Sequence, residues 1–209
     1  WRYWGAVKDV AAVLARAYLY TGDPIYARKC GVVMDRISDV YPEMDWGVYG
    51  RQGWFHSGST NGGKIEGSIW ECGTVSQLCT VYDMVKPGLW NQPELYAFLQ
   101  AKGQEYRLPT AKDGYEQLVG NIETNLLGEF VKAIKVARIY GNEGGPQANV
   151  AECAVALNRE PTSTEWLDWL FAEGTVGQGA IREGDGGHLP ALIIGAMDRD
   201  GVGAEGAPG

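Results

Sequence analysis

Apolar residues recur at intervals of three and four along most of this chain. No segment alternates apolar and polar residues over more than a few positions. The first pattern is typical of an amphipathic helix, whereas alternation would indicate a β-strand. The longest periodic stretches run from about residue 4 to 20, 24 to 41, 69 to 85 and 118 to 137. The sequence therefore predicts an all-α protein.

Glycine and proline mark the helix ends. Gly22 stops the first helix, Asp23 is placed to cap the second, and Pro24 occupies its first position, where no N–H is needed. Because only a short turn at Gly22 and Asp23 separates the first two helices, they are predicted to be antiparallel neighbours. Shorter helices are predicted at about 93–102, 148–157, 161–171 and 189–197. Successive hairpins of this kind build (α/α) toroids, and the predicted architecture is an incomplete (α/α) toroid of antiparallel helical hairpins.

Composition limits the classes of function. The chain has 209 residues, 45% of them hydrophobic, which suits one domain with a sizeable core. A net charge of −8 argues against a nucleic-acid partner, and no apolar run reaches the ~18 residues that span a bilayer. The four cysteines lack metal-site spacing and only two histidines are present, so we expect buried free thiols and no bound metal.

The stretch from Trp46 to Gly67 is predicted to be a long loop that contacts a ligand. It holds seven glycines, and Trp54 and His56 could stack on sugar rings while Lys64 meets polar groups. Its G-x-x-x-x-G-K match is not a nucleotide site, because Ile65 replaces the Ser or Thr that holds magnesium and no strand precedes it. A packed loop without a ligand is the alternative.

Trp70 and Glu71 follow this loop at the start of a helix. Exposed N–H groups and the helix dipole stabilise a carboxylate there, which explains Glu71 structurally. In the functional interpretation, Trp70 forms the wall of a substrate subsite and Glu71 orients a catalytic or substrate group.

A second glycine-rich turn runs from Arg138 to Gln147 and joins two helices. The amide of Asn142 could bind a carboxylate, and Gln147 opens the next helix, where N–H groups favour anions. A left-handed turn residue is the alternative for Asn142. Among basic residues beside glycine-rich loops, Arg138 and Lys64 are candidates for an acidic ligand, together with Arg51 and Arg182.

The Gly141–Gln147 turn and the tail loop of Asp198, Asp200, Gly201 and Glu205 resemble the heparinase II/III-like and alginate lyase-like polysaccharide lyases. The tail acids lack the spacing of a calcium loop. The resemblance extends to Tyr20–Pro24, Val40–Pro42 and Ile69–Glu71.

The resemblance implies β-elimination on a uronic-acid polysaccharide, without a cofactor. Asn142 and Gln147 would neutralise the uronate carboxylate, a base would remove the C5 proton, and a Tyr would protonate the departing O4. The residues implied in catalysis are Asn142, His56, Tyr140 and Glu71. Those implied in substrate binding are Trp54, Lys64, Trp70, Arg138, Gln147, His188 and Glu205. An acidic polysaccharide is then the partner, in the periplasm or outside the cell.

The chain departs from the family pattern at two points. Pro146 stands where many relatives have a His, and the chain stops at Gly209, just before the expected Tyr. We therefore expect a fragment truncated at both ends, without the family's C-terminal β-sandwich, to be inactive and prone to association. A glycoside hydrolase using Glu66, Glu71 or Asp83, or a non-catalytic carbohydrate-binding module, remains an alternative.

Overall fold

The computed structural model of the chain describes residues 2–47, 62–67, 70–109, 112–139, 144–174 and 186–187. Every regular element in these ranges is helical, which confirms the all-α prediction. The α-helices are α1 (Arg2–Thr21), α2 (Pro24–Val40), α3 (Glu71–Val85), α4 (Pro93–Glu105), α5 (Tyr115–Ile122), α6 (Glu129–Lys135), α7 (Gly145–Leu157) and α8 (Thr162–Phe171). Short 3₁₀ turns occupy Tyr41–Glu43 and Lys86–Leu89, and a π-helical segment, Glu123–Gly128, joins α5 to α6.

Local capping signals set the first hairpin. The side chain of Asp23 accepts a hydrogen bond of 2.9 Å from the backbone N–H of Ile25, and Pro24 is the first residue of α2. Only Gly22 and Asp23 separate α1 from α2, and the two helices pack on each other. The predicted antiparallel pair is therefore present.

The helix predicted from 118 to 137 contains the π-helical segment. Glu123 begins that segment and is buried. Its Oε1 accepts a hydrogen bond of 2.7 Å from the hydroxyl of Tyr82 and lies 3.0 Å from Nζ of Lys86. A π-helical turn widens the helix by one residue, and apolar periodicity does not reveal this. The helix predicted at 189–197 lies outside the described residues.

The chain divides into two compact units. Unit 1 comprises Trp1–Met44 and Ser76–Glu129, and unit 2 comprises Asp45–Val75 and Phe130–Gly209. In unit 1, α2 packs against α1, α4, α5 and the 3₁₀ turn at Lys86–Leu89. Its core includes Met34, Ile37, Tyr82, Leu118 and Ile122. In unit 2, α7 packs against α8, and the core includes Phe130, Ile134, Val150, Cys153 and Leu170.

Unit 1 also buries a cluster of charged and amide side chains. Nζ of Lys112 lies 2.6 Å from Oδ2 of Asp35 and 2.5 Å from Oδ1 of Asp39. The amide of Asn121 donates to Oδ1 of Asp35 at 2.8 Å. Burial raises the pKa of Asp35, although the hydrogen bond and charge of Lys112 act in the opposite direction. The cluster joins the segment at residue 112 to α2 and α5.

Candidate functional site

A loop of unit 2, residues 62–67, is organised around the carboxylate of Glu71. Oε2 of Glu71 accepts three hydrogen bonds from consecutive backbone N–H groups, those of Lys64 at 3.1 Å, Ile65 at 3.0 Å and Glu66 at 2.6 Å. Successive N–H groups that converge in this way form a concave anion-binding nest. Here a buried carboxylate of the same chain fills the nest. Glu71 is the first residue of α3, as the sequence predicted for its helix start.

Gly63 connects this loop to two other segments of unit 2. Its N–H donates to the carbonyl of Arg138 at 2.7 Å, and its carbonyl accepts from the N–H of Trp46 at 3.3 Å. Gly63 has φ of +97°, a conformation that glycine adopts with little strain. The loop therefore lies against the chain that follows α6 and against the segment at 45–46.

Of the two described basic residues predicted to bind substrate, Lys64 and Arg138, only Arg138 has an exposed side chain. Its side chain is 40% exposed, and Nη2 lies 2.5 Å from Oδ1 of Asp45. Nε of Arg138 is buried and has no hydrogen-bond partner. A guanidinium carries five N–H donors in a planar fork, so the pair with Asp45 leaves donors for a second acceptor.

The other predicted substrate-binding residues differ in exposure. Trp70 is 53% exposed and directly precedes α3. Lys64 is buried, with its backbone N–H directed to Glu71. Trp70 thus presents an aromatic surface to solvent, whereas the Lys64 side chain lies inside unit 2.

Gln147 is buried in the first turn of α7. Its Nε2 donates to the carbonyl of Gly187 at 3.1 Å, and its Oε1 is buried without a hydrogen-bond partner. Gly144 precedes the helix in a left-handed conformation and provides no side-chain cap. A β-carbon added to Gly145 would lie 3.7 Å from Sγ of Cys72, so the start of α7 lies against the first turn of α3.

The structure therefore connects the described site residues within unit 2. Lys64, Trp70, Glu71, Arg138 and Gln147 belong to loop 62–67, the start of α3, the segment after α6 and the start of α7. The remaining predicted site residues lie outside the described residues. These are Trp54, His56, Tyr140, Asn142, His188 and Glu205. Their grouping with Trp70 and Arg138 stays a prediction.

Sequence reasoning missed several polar partners. Asp45 pairs with Arg138 across 93 positions, and Thr74 donates to Oε2 of Glu66 at 2.8 Å. In unit 1, the spacing of Asp35 and Asp39 places two acids on one face of α2, next to the buried Met34 and Ser38. That spacing is a signal of a buried polar cluster, but it does not identify Lys112 as the partner.

The four cysteines are free, and Cys72 directly follows Glu71 in α3. Burial raises the pKa of the Cys72 thiol to about 11, and the negative charges of Glu71 and Glu152 also raise it. Since the thiolate is the nucleophilic form, the thiol of Cys72 is poorly suited to covalent catalysis.

We expect the thiol of Cys72 to react slowly with iodoacetamide in the folded chain. At about pH 8, a thiol of pKa about 11 is ionised in only roughly one molecule in a thousand. Peptide mass spectrometry after timed labelling measures the rate, and the chain unfolded in urea is the control because its thiols have ordinary pKa values. Equal labelling rates in the folded and unfolded chains would contradict the assigned environment.

Comparisons with family models, curated proteins and solved structures gave no match for this chain. Among the described residues, no group of three His, Cys, Asp or Glu side chains is arranged to hold a metal ion. No described helix combines the length and apolar character needed to cross a membrane.

Proposed function

We propose that this chain belongs to the (α/α) toroid domain of a polysaccharide lyase that cleaves a uronic-acid polysaccharide by β-elimination. The supporting observation is that loop 62–67, the start of α3 and Arg138 are joined by direct hydrogen bonds within unit 2. These segments come from three separate stretches that carry the sequence resemblance or the predicted ligand-binding loop. The proposed location is the periplasm or the extracellular space.

The proposed roles follow from exposure and charge. The guanidinium of Arg138 binds a uronate carboxylate, and the exposed ring of Trp70 packs on a neighbouring sugar. Glu71 acts as a positioning residue, since its carboxylate organises loop 62–67. Through Gly63, this loop forms hydrogen bonds with the backbone of Trp46 and Arg138.

The chemical step is assigned to the Gly141–Gln147 turn and its surroundings. Asn142, aided by Gln147, stabilises the charge that develops on the uronate when C5 loses its proton, and Tyr140 or His56 transfers protons. Withdrawal of the C5 proton forms the C4–C5 double bond and expels O4, which takes up a proton. The reaction needs no oxidant and no cofactor.

The geometry disfavours the glycoside hydrolase alternative. That chemistry needs two carboxylates about 5 to 10 Å apart on either side of a glycosidic bond. Glu71 is buried and its Oε2 is bound by three N–H groups, and Glu66 accepts from Thr74. Asp83 lies twelve residues after Glu71 on the same helix, which separates their backbones by ~18 Å.

We expect Arg138→Ala to weaken the binding of alginate, heparan sulfate or chondroitin by ~10-fold or more, because a charge-assisted hydrogen bond to the uronate is lost. Affinity electrophoresis or calorimetry measures the change. Lys132→Ala, an exposed lysine of α6, is the matched control, since it alters net charge equally. Arg138→Lys should fall between the two, because lysine keeps the charge but not the planar fork. Equal effects of Arg138→Ala and Lys132→Ala would remove Arg138 from the site.

The products of turnover distinguish a lyase from a hydrolase and from a non-catalytic binding module. A lyase produces an unsaturated uronate, which absorbs in the ultraviolet, and a hydrolase produces a new reducing end without that absorbance. Binding with no product from a longer chain that includes the expected Tyr would favour the non-catalytic alternative. New reducing ends without the absorbance would favour the hydrolase.

A further inference from the structure

Helix α1 has one face that packs on α2 and a second apolar face that is exposed. The packed face is formed by small side chains, those of Ala11, Ala12 and Ala15, all of which are buried. The Sγ of Cys30 in α2 donates to the carbonyl of Ala11 at 3.4 Å, which places this side of α1 against α2. Small residues allow close approach of the two helix axes.

The exposed face of α1 carries a continuous stripe with heptad spacing, which we call the α1 stripe. Its residues are Tyr3, Ala6, Val10, Val13, Ala17 and Tyr20. Tyr3 is 88% exposed, Val10 50%, Val13 57% and Tyr20 82%. Alternating steps of three and four residues are the pattern of a coiled-coil seam, which packs against another helix at a shallow crossing angle.

The order of residues in the α1 stripe is the same in both directions. It reads Tyr-Ala-Val-Val-Ala-Tyr from either end. Two copies of α1 placed antiparallel about a two-fold axis therefore set Tyr3 against Tyr20, Ala6 against Ala17 and Val10 against Val13. Each large residue meets a large one and each small residue a small one. A two-fold interface requires a self-complementary surface of this kind.

Charge at the edge of the stripe favours the antiparallel arrangement. Asp9 and Arg16 are exposed and flank the stripe on the same side. In the antiparallel register described above, Asp9 of one copy is offset along the axis from Arg16 of the other by two residues, or ~3 Å. Because the dimer is two-fold symmetric, it contains this ion pair twice. In a parallel pair, Asp9 would lie beside Leu14 of the other copy, without charge complementarity.

A cavity of 490 Å³ lies beside the stripe at its Tyr3 end, between α1 and α2. Apolar side chains line most of it, including Trp4 and Val7 of α1 and Val33 and Ile37 of α2. The antiparallel register brings Tyr20 of the second copy next to Tyr3, at the mouth of this cavity. An aromatic side chain fills space of this kind and buries a large apolar area.

We propose that the chain forms a two-fold symmetric dimer through antiparallel packing of the α1 stripe of one copy on that of another. The occupant of the exposed face is a second copy of this chain. The proposal concerns unit 1 alone and is independent of the carbohydrate site.

Sedimentation equilibrium of the full chain measures the dimer dissociation constant. We expect D9R to weaken the dimer by ~10-fold, since it replaces two attractive pairs with two repulsive ones, and R16D to do the same. The D9R/R16D double variant should regain the wild-type constant, because the pairs are restored with exchanged sign. V13E, which places a charge within the stripe, should abolish the dimer in the same concentration range. The three substituted positions, 9, 13 and 16, are exposed, and circular dichroism verifies that each variant folds.

Cysteine cross-linking tests the register. A mixture of V10C and V13C chains should form a disulfide faster under mild oxidation than either variant alone, because only position 10 against position 13 brings the β-carbons together. Wild type gives the background from the native thiols. A chain that stays monomeric up to ~1 mM overturns the proposal. So does faster linkage in V10C alone, which indicates a parallel pair, or a dimer that D9R and V13E leave unchanged.

Discussion

Glu71→Ala is expected to lower the free energy of unfolding by about 4 kcal/mol, because three backbone N–H groups, two of them in buried hydrogen bonds, lose one charged acceptor. The sum of three such hydrogen bonds would be larger, but the loop can relax and admit water. Urea denaturation followed by circular dichroism measures the loss. Hydrogen exchange at the amides of residues 64–66 locates it, since protection there should disappear first.

One further variant separates charge from shape at this position, and a second, elsewhere on the same helix, is the control. Glu71→Gln keeps the side-chain length but removes the negative charge, so we expect it to cost about 2 kcal/mol. Asp83→Ala removes an exposed carboxylate from the same helix and should change stability by less than ~0.5 kcal/mol. A Glu71→Ala chain as stable as Asp83→Ala, with unchanged exchange at residues 64–66, would show that the carboxylate does not hold the loop.

Lys112→Met is expected to destabilise the chain by a similar amount, about 4 kcal/mol. The ammonium of Lys112 is buried against Asp35 and Asp39, and its removal leaves the buried carboxylate of Asp35 without a cation. Asp39 keeps a second cation, since Nη1 of Arg36 lies 3.6 Å from its Oδ2. Chemical denaturation of wild type and variant measures the difference. Lys102→Met, at an exposed lysine paired with Glu105, is the control and should leave stability almost unchanged, because an exposed ion pair contributes little.

The destabilisation caused by Lys112→Met should depend on pH, and the pKa of Asp35 determines the direction of that dependence. Burial already raises the pKa of Asp35, and loss of Lys112 removes two influences that lower it. In the variant, the folded-state pKa of Asp35 therefore lies further above the unfolded value. The folded variant takes up protons before the unfolded chain does as the pH falls. Acidification from pH ~7 toward ~4 should thus narrow the stability difference from wild type.

Neutral partners should restore part of the lost stability. Replacing both acids as well, in a Lys112→Met/Asp35→Asn/Asp39→Asn chain, removes the uncompensated charge of Asp35 together with the neighbouring charge of Asp39, and we expect it to recover at least ~2 kcal/mol. A Lys112→Met chain within ~1 kcal/mol of wild type, or a triple variant less stable than the single one, would contradict the assigned energetics of the cluster.

The sequence alone determined the fold class and most of the helix bounds. Apolar spacing identified α1, α2, α3 and the stretch that contains α5 and α6, because each buries apolar side chains along its length, and this signal is local. Asp23 and Pro24 predicted the start of α2, since capping involves groups only two residues apart. The π-helical segment at Glu123–Gly128 left no such signal, because it depends on a local widening of the helix.

Sequence also indicated which stretches carry the candidate site, through the glycine-rich loops and the residues at helix starts. Tertiary structure decided what their side chains do. The position of Glu71 predicts that its carboxylate is stabilised by the N–H groups at the start of its own helix. In the structure, three N–H groups of loop 62–67 bind it. Arg138 pairs with Asp45, and Lys112 with Asp35, across 93 and 77 positions. Such pairs form only when packing removes water from both partners, so their energies depend on burial and distance, which neither residue type nor spacing determines.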